Sequence, residues 1–125
     1  MAIVGMGGFF FRAQDPEALK AWYRDTLGVG AGCGKPVEGE ASEWFWNPEP
    51  GAMMFEPFKH DTDYFAADKG FMLNFRVRDL DGLLEQLNAA GVAIITKPEW
   101  DTPETGRFAR IHDPEGNPVE LWEPA

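Results

Sequence analysis

The chain has 125 residues, a length that predicts one compact domain able to bury a core without a structural disulfide or metal. Its 11 basic and 21 acidic residues give a net charge of −10, which argues against nucleic acid or an anionic membrane surface as a partner. Cys33 is the only cysteine, and the N-terminus lacks the charged region of a signal peptide, so we expect a cytoplasmic protein without disulfides.

The first half of the chain predicts a strand followed by a helix. Residues 8–12 are apolar with a closing arginine, and Asp15 then provides a helix N-cap with Pro16 at the first helical position. Gly28 ends the helix. The expected apolar stripe of this helix is Leu19, Trp22, Tyr23 and Leu27. Further strands are predicted at residues 36–38 (a weak edge strand), 43–46 and 52–58.

The second half repeats this plan. A strand at residues 72–77 precedes a helix that Asp79 opens and Gly91 ends. The apolar stripe of this helix is Leu80, Leu83, Leu84 and Leu87. Three more strands are predicted at residues 92–96, 106–111 and 118–122.

A shift of 64 positions relates the two halves. It lays Phe11-Arg12-x-x-Asp15 on Phe75-Arg76-x-x-Asp79, and Glu56 on Glu120. The alternative is chance similarity between two acidic segments, but the matches are collinear and fall on helix and turn signals. The sequence therefore predicts a first β-α-β-β-β module over 1–60, a linker over 61–70 and a second module over 71–125, all within one structural domain.

Two segments carry a resemblance to a known family. They are residues 15–23 (DPEALKAWY) with Leu27-Gly28, and residues 113–122 (DPEGNPVELW). The chain resembles the vicinal oxygen chelate superfamily, which includes glyoxalase, bleomycin-resistance proteins and extradiol dioxygenases. The resemblance implies an α+β fold of two βαβββ modules, with curved mixed sheets around a shared cavity and helices outside. It also implies assembly as a homodimer.

Strand alternation indicates which side chains face that cavity. Leu73, Phe75 and Val77 are apolar and predict the core face of their strand, so Met72, Asn74 and Arg76 face the other way. The same parity and the 64-residue shift assign further aromatic and arginine side chains to this inner surface, where they would contact a small-molecule ligand. The complete set of predicted ligand-binding residues is Phe10, Arg12, Trp44, Trp46, Phe58, Met72, Asn74, Arg76, Phe108, Arg110 and Trp122.

The resemblance also implies metal-ligand positions at the first and last strand of each module. In this chain they are Gly8, Glu56, Met72 and Glu120, so only the two carboxylates match. Three roles for the carboxylates stay open: metal ligands, an acid–base pair that shares a proton, or ion-pair partners for Arg12, Arg76 or Arg110. We therefore expect either no cofactor or a weakly bound divalent metal, with Glu56 and Glu120 as the candidate catalytic residues.

These observations favour a small-molecule-binding protein without a tightly held transition metal. The tryptophans and the acidic charge suit a cationic or aromatic ligand, whereas the arginines suit one that carries a carboxylate. One alternative is a metal-dependent lyase or isomerase of glyoxalase type that uses Glu56 and Glu120. A second alternative is a structural or regulatory dimer with an occluded cavity.

Overall fold

The structure, a computed structural model, describes residues 2–35 and 43–125. Over these residues the chain is a small α+β protein with a mixed three-stranded sheet of order β1-β3-β2. β1 runs parallel to β3, and β2 runs antiparallel to β3. The elements in chain order are α1 (Pro16–Trp22), a π-helical turn (Tyr23–Leu27), β1 (Leu73–Arg76), α2 (Leu80–Ala89), a 3-10 turn (Pro98–Trp100), β2 (Arg107–His112) and β3 (Pro118–Glu123).

Both helices begin at the predicted N-caps. The Asp15 carboxylate accepts from the amide of Ala18 at 3.1 Å, and the Asp79 carboxylate accepts from the amide of Gly82 at the same distance. These bonds satisfy amides that have no partner inside the helix. Gly28 follows the π-helical turn with φ of 68°, a left-handed conformation that favours glycine. Neither helix of the described residues is long and apolar enough to cross a bilayer.

The core lies between the helices and one face of the sheet. Alternation along β3 places Val119 and Leu121 on this face, and both are essentially inaccessible to solvent. The full set of buried apolar residues is Leu19, Tyr23, Leu80, Leu87, Ala109, Ile111, Val119 and Leu121. Burial of this apolar surface stabilises the packing of both helices on the sheet.

A buried hydrogen bond connects the first helical region to the turn before β3. The Tyr23 hydroxyl donates to the Asp113 carboxylate at 2.7 Å, and burial together with this carboxylate raises the pKa of the phenol. Asp113 also accepts from the backbone amide and the side-chain amide of Asn117. Asp113 therefore fixes the turn that positions β3.

The strands expected in the first half do not form a sheet in the single chain. Residues 8–12, 43–46 and 52–58 are described without strand pairing, and the expected edge strand at 36–38 lies outside the described residues. The first half has one isolated bridge, between Gly34 and Asn47. A strand needs a neighbour to pair its amides and carbonyls. Within the described residues, the 43–46 segment has only one such bond, from the Gly32 amide to the Phe45 carbonyl at 3.0 Å, and this does not make a strand.

In the second half, the strand expected at 92–96 is reduced to one bridge. Ile95 and Arg110 exchange two backbone hydrogen bonds of 2.8 Å each. The other three strands of this half form at the predicted places.

Candidate functional site

The face of the sheet opposite the core carries a polar cluster centred on Glu120. Because the register pairs Glu120 with Asn74 on one side and with Arg110 on the other, the three side chains lie in one row across the sheet. Tyr64 and Trp100 contact this row from outside the sheet. We refer to Tyr64, Asn74, Trp100, Arg110 and Glu120 as the central cluster.

Glu120 is 5% exposed and has a hydrogen-bond donor at each carboxylate oxygen. The Tyr64 hydroxyl donates to Oε2 at 2.5 Å, and the Asn74 side-chain amide donates to Oε1 at 2.7 Å. Burial and the bond to Glu120 raise the pKa of Tyr64 to about 12, so the phenol keeps its proton at neutral pH. The carboxylate is thus held in place by two neutral donors.

Arg110 is equally buried but only partly satisfied. It is 5% exposed, and its Nη1 donates to the backbone carbonyl of Tyr64 at 3.1 Å. Its Nε and Nη2 are buried and have no hydrogen-bond partner among the described residues. The guanidinium carbon lies 4.8 Å from the centre of the Tyr64 ring and 5.5 Å from that of Trp100. These are cation–π distances, so two aromatic rings contact the arginine.

Further aromatic rings extend the central cluster. The ring of Phe58 lies 5.7 Å from that of Tyr64, and the Tyr64 and Trp100 rings are 6.0 Å apart. Further along the sheet, Phe108 and Trp122 are stacked at 6.3 Å. Aromatic side chains beside a few fixed polar groups are typical of small-molecule sites.

The structure gathers only part of the predicted ligand-binding set. Asn74 and Arg110 of this set lie in the central cluster, beside the candidate catalytic residue Glu120. Phe58 lies next to the cluster, and Phe108 and Trp122 lie further along the sheet. Met72 precedes β1 and is half-buried.

The remaining predicted residues lie elsewhere or are exposed. The Arg76 guanidinium donates to the backbone carbonyls of Glu49 and Ala52, which fixes a first-half segment against β1. Trp46 packs edge-on against Phe75, 5.9 Å away. Many members of the set are exposed: Phe10, Arg12, Trp44, Trp46, Phe58 and Arg76. The candidate catalytic residue Glu56 is exposed as well.

Sequence reasoning missed Tyr64 and Trp100. Tyr64 lies in the segment predicted to be a linker, and Trp100 lies in a 3-10 turn after Pro98. Neither position follows the strand alternation from which the inner face was predicted. The available signal was a pair of adjacent aromatic residues, Tyr64 and Phe65, within a polar segment. Large aromatic side chains usually pack against other residues, so this pair indicates a segment that contacts the rest of the protein.

The central cluster does not suit the divalent metal that the family resemblance implies. Both oxygens of Glu120 already accept hydrogen bonds, from a phenol and from an amide. Glu56 is exposed, and the described part of the chain contains no group of three or more histidine, cysteine or carboxylate side chains placed to hold an ion. Among the described residues Glu120 also forms no ion pair with an arginine, which was another of the open roles; Tyr64 and Asn74 donate to its carboxylate instead.

A separate open groove of about 940 Å³ lies beside the start of α1. One of its polar side chains is Glu115, whose carboxylate accepts from the backbone amides of Gln14 and Asp15 at 2.7 and 3.0 Å. These bonds attach the start of α1 to the turn before β3. The carboxylate is therefore used within the fold.

Comparison with known proteins gives a consistent set of relatives. The sequence profile of the Glyoxalase/Bleomycin resistance protein/Dioxygenase superfamily matches residues 5–121. No curated protein gives a significant match.

Three solved structures illustrate the likeness. TnmS3, an antibiotic-binding protein from Streptomyces sp. CB03234, is 26% identical, with a TM-score of 0.59 over 100% of this chain and 99% of its own. A glyoxalase/bleomycin resistance protein from the same organism is 25% identical, with a TM-score of 0.50 over 88% and 92%. A superfamily member from Sphaerobacter thermophilus DSM 20745, 20% identical with a TM-score of 0.57 over 98% and 99%, shares the fold.

Proposed function

Because the chain belongs to the Glyoxalase/Bleomycin resistance protein/Dioxygenase superfamily, we propose that it is a small-molecule-binding protein whose site is the central cluster. The observation that carries this proposal is Arg110, which is buried beside two aromatic rings with two of its nitrogens unpartnered among the described residues. A buried donor without an acceptor is costly, and a ligand acceptor would remove that cost.

The aromatic rings favour a planar ligand. Tyr64 and Trp100 present ring surface beside the polar row, and such surface stacks on planar or aromatic groups. The antibiotic-binding description of TnmS3 supports the same type of function, because that protein aligns with this chain over its whole length. We therefore propose an antibiotic-like planar molecule as the ligand class.

We propose further that a homodimer completes the site and the two-module fold. Apolar side chains of the first half stay exposed in the single chain: Val4 is 100% exposed, Phe10 94% and Phe55 79%. Exposed apolar surface on this scale marks an interaction surface. A second copy would both cover it and offer pairing partners to the extended segments at 8–12 and 52–58. We also propose a cytoplasmic location for the protein, as expected from the sequence.

A metal-dependent lyase or isomerase reaction fits the described residues less well. That chemistry needs Glu56 and Glu120 on one ion, whereas Glu120 is engaged by Tyr64 and Asn74 and Glu56 is exposed. We propose binding without a tightly held transition metal. Elemental analysis after dialysis checks this: we expect well under one equivalent of metal. One equivalent that is lost in the Glu120→Gln variant would favour the lyase instead.

Calorimetric titration with 2-naphthamide, a neutral planar probe, tests the location of the site. We expect Trp100→Leu to weaken binding about fivefold or more, because stacking on one aromatic ring contributes about 1 kcal/mol. Trp22→Leu is the matched control, since Trp22 lies on α1 and packs against the core cluster. Equal weakening by both variants would place the site elsewhere.

A further inference from the structure

We infer that Arg110 selects ligands that carry a carboxylate, with Nε and Nη2 donating to the two carboxylate oxygens. The inference rests on the proposed function and names its ligand class. Arginine presents Nε and Nη2 along one edge of a planar group, at a spacing that matches the two oxygens of a carboxylate. These are the two nitrogens of Arg110 that have no partner among the described residues.

Among the described residues, the neighbours of Arg110 leave the edge formed by Nε and Nη2 available to a ligand. Nη1 is engaged by the backbone carbonyl of Tyr64 at 3.1 Å. The Tyr64 and Trp100 rings lie near the guanidinium carbon at 4.8 and 5.5 Å, so they hold the cation without accepting its edge hydrogens. Substitution of Arg110 by glycine or alanine would remove the guanidinium that both rings contact.

Glu120 is the nearby negative charge that could oppose an anionic ligand. It is paired with Arg110 in the strand register, yet its oxygens accept from Tyr64 and Asn74. Glu120 therefore makes no direct hydrogen bond to Arg110, and Nε and Nη2 stay available to the carboxylate of a ligand. The net charge of −10 repels anions at long range, but salt screens that effect beyond about 10 Å, whereas a buried contact is screened much less.

Entry of a carboxylate requires a movement. Nε and Nη2 each expose less than 1 Å² to solvent, so a covering side chain must shift before a ligand reaches them. Tyr64 is suited to this because it belongs to a segment, residues 61–70, that has neither helix nor strand. Its contacts with Glu120 and Arg110 are two hydrogen bonds and one ring contact.

The test compares 2-naphthoate with 2-naphthamide, two probes with the same ring that differ in the carboxylate. Calorimetry on the wild-type chain should give a dissociation constant about tenfold or more lower for 2-naphthoate, as expected for a charge-assisted bidentate contact. Arg110→Gln should remove this preference, because it should weaken 2-naphthoate at least about tenfold more than 2-naphthamide. Arg110→Lys keeps the charge but not the paired donors, so it should lose most of the preference.

Arg107→Gln is the matched control. Arg107 lies on the same strand, with its side chain in an ion pair with Asp81 at 2.8 Å, and this variant removes the same charge. It should keep the full preference. Circular dichroism establishes that each variant is folded; should Arg110→Gln not fold, the wild-type comparison and Arg110→Lys decide the matter.

Three results would overturn the inference. Equal wild-type affinities for the two probes would indicate that water or another neutral group satisfies Arg110, and they would leave the proposed function standing. A preference that persists in folded Arg110→Gln would place carboxylate recognition elsewhere. Failure of both probes to bind the wild-type chain would contradict the inference and the proposed function together.

Discussion

The two halves of the chain begin with the same local signals but end in different states. Residues 71–125 form the whole three-stranded sheet and supply six of the eight buried apolar residues. The first half contributes α1 and its π-helical turn to the core, while large apolar side chains in its extended segments stay exposed.

This contrast separates local from non-local determinants of structure. The N-caps Asp15 and Asp79 have nearly identical backbone angles, with φ of −130° and −127°, because a cap depends only on neighbouring amides. A strand depends on a partner strand outside its own segment, and that partner can belong to another chain. The second half contains its own partners, whereas the described part of the first half pairs only around the bridge between Gly34 and Asn47.

The largest expected effect is in the second-half core. Leu121→Ala should lower the free energy of unfolding by about 2–5 kcal/mol, because Leu121 is almost completely buried and its removal leaves a cavity. Phe10→Ala, at a concentration where the chain is monomeric, should change it by less than about 0.5 kcal/mol. Urea unfolding measures both. Equal losses would mean that Phe10 is buried within a single chain.

For self-association we expect the opposite pattern: a substitution in the first half should weaken the dimer, whereas one in the second half should not. Phe10→Asp places a charge on exposed apolar surface of the first half and should raise the dimer dissociation constant at least about tenfold. Asn88→Asp adds the same charge to an exposed position of α2 and should leave it unchanged. Analytical ultracentrifugation measures the constant. A wild-type chain that is monomeric at high concentration would contradict the proposed homodimer.

The helix caps should behave alike in the two halves. Asp15→Ala and Asp79→Ala should each cost about 1 kcal/mol, because each removes one side-chain bond to a helix amide. Asp68→Ala, at an exposed position outside both helices, serves as the control. Thermal unfolding of the three variants gives the comparison. A negligible cost for Asp15→Ala alone would show that α1 is fixed by packing and not by its cap.

The smallest effect concerns Tyr64, which connects the segment predicted to be a linker, residues 61–70, to the sheet. Its pKa is raised from 10.0 to about 12, so the folded state holds the phenolic proton more tightly than the unfolded chain does. The resulting stability is present below about pH 10 and is lost as pH rises towards 12. Urea midpoints between pH 8 and 11 should therefore fall less steeply in Tyr64→Phe than in the wild-type chain.

A second tyrosine, Tyr23, also makes stability fall at high pH, and its contribution is the part that Tyr64→Phe should retain. Its pKa is also raised by burial and by Asp113, so part of the decline with pH should remain in Tyr64→Phe. At neutral pH the same variant should lose about 1 kcal/mol with its bond to Glu120. If the urea midpoint falls equally with pH in the wild type and in Tyr64→Phe, the pKa of Tyr64 is the same in the folded and unfolded states.

Part of the candidate site was predictable because strand parity is a local property. Asn74, Arg110 and Glu120 follow from alternation along three strands, and the structure brings them into one row. The partners of Glu120 were not predictable, because a carboxylate beside several arginines gives no reason to prefer a phenol. Tyr64 lies 56 residues away in sequence, in a segment without periodicity.

The sequence by itself determined the family, the two helices with their caps, and which face of each second-half strand is polar. These features depend on residue types within a few positions of one another, or on a pattern that many members of a family share. The tertiary structure decided that Tyr64 and Trp100 contact Arg110, that Glu120 is held by neutral donors, and that Nε and Nη2 of Arg110 lack a partner among the described residues. The physical reason is that hydrogen-bond partners and ring contacts are set by how distant segments pack, and no local pattern encodes that packing.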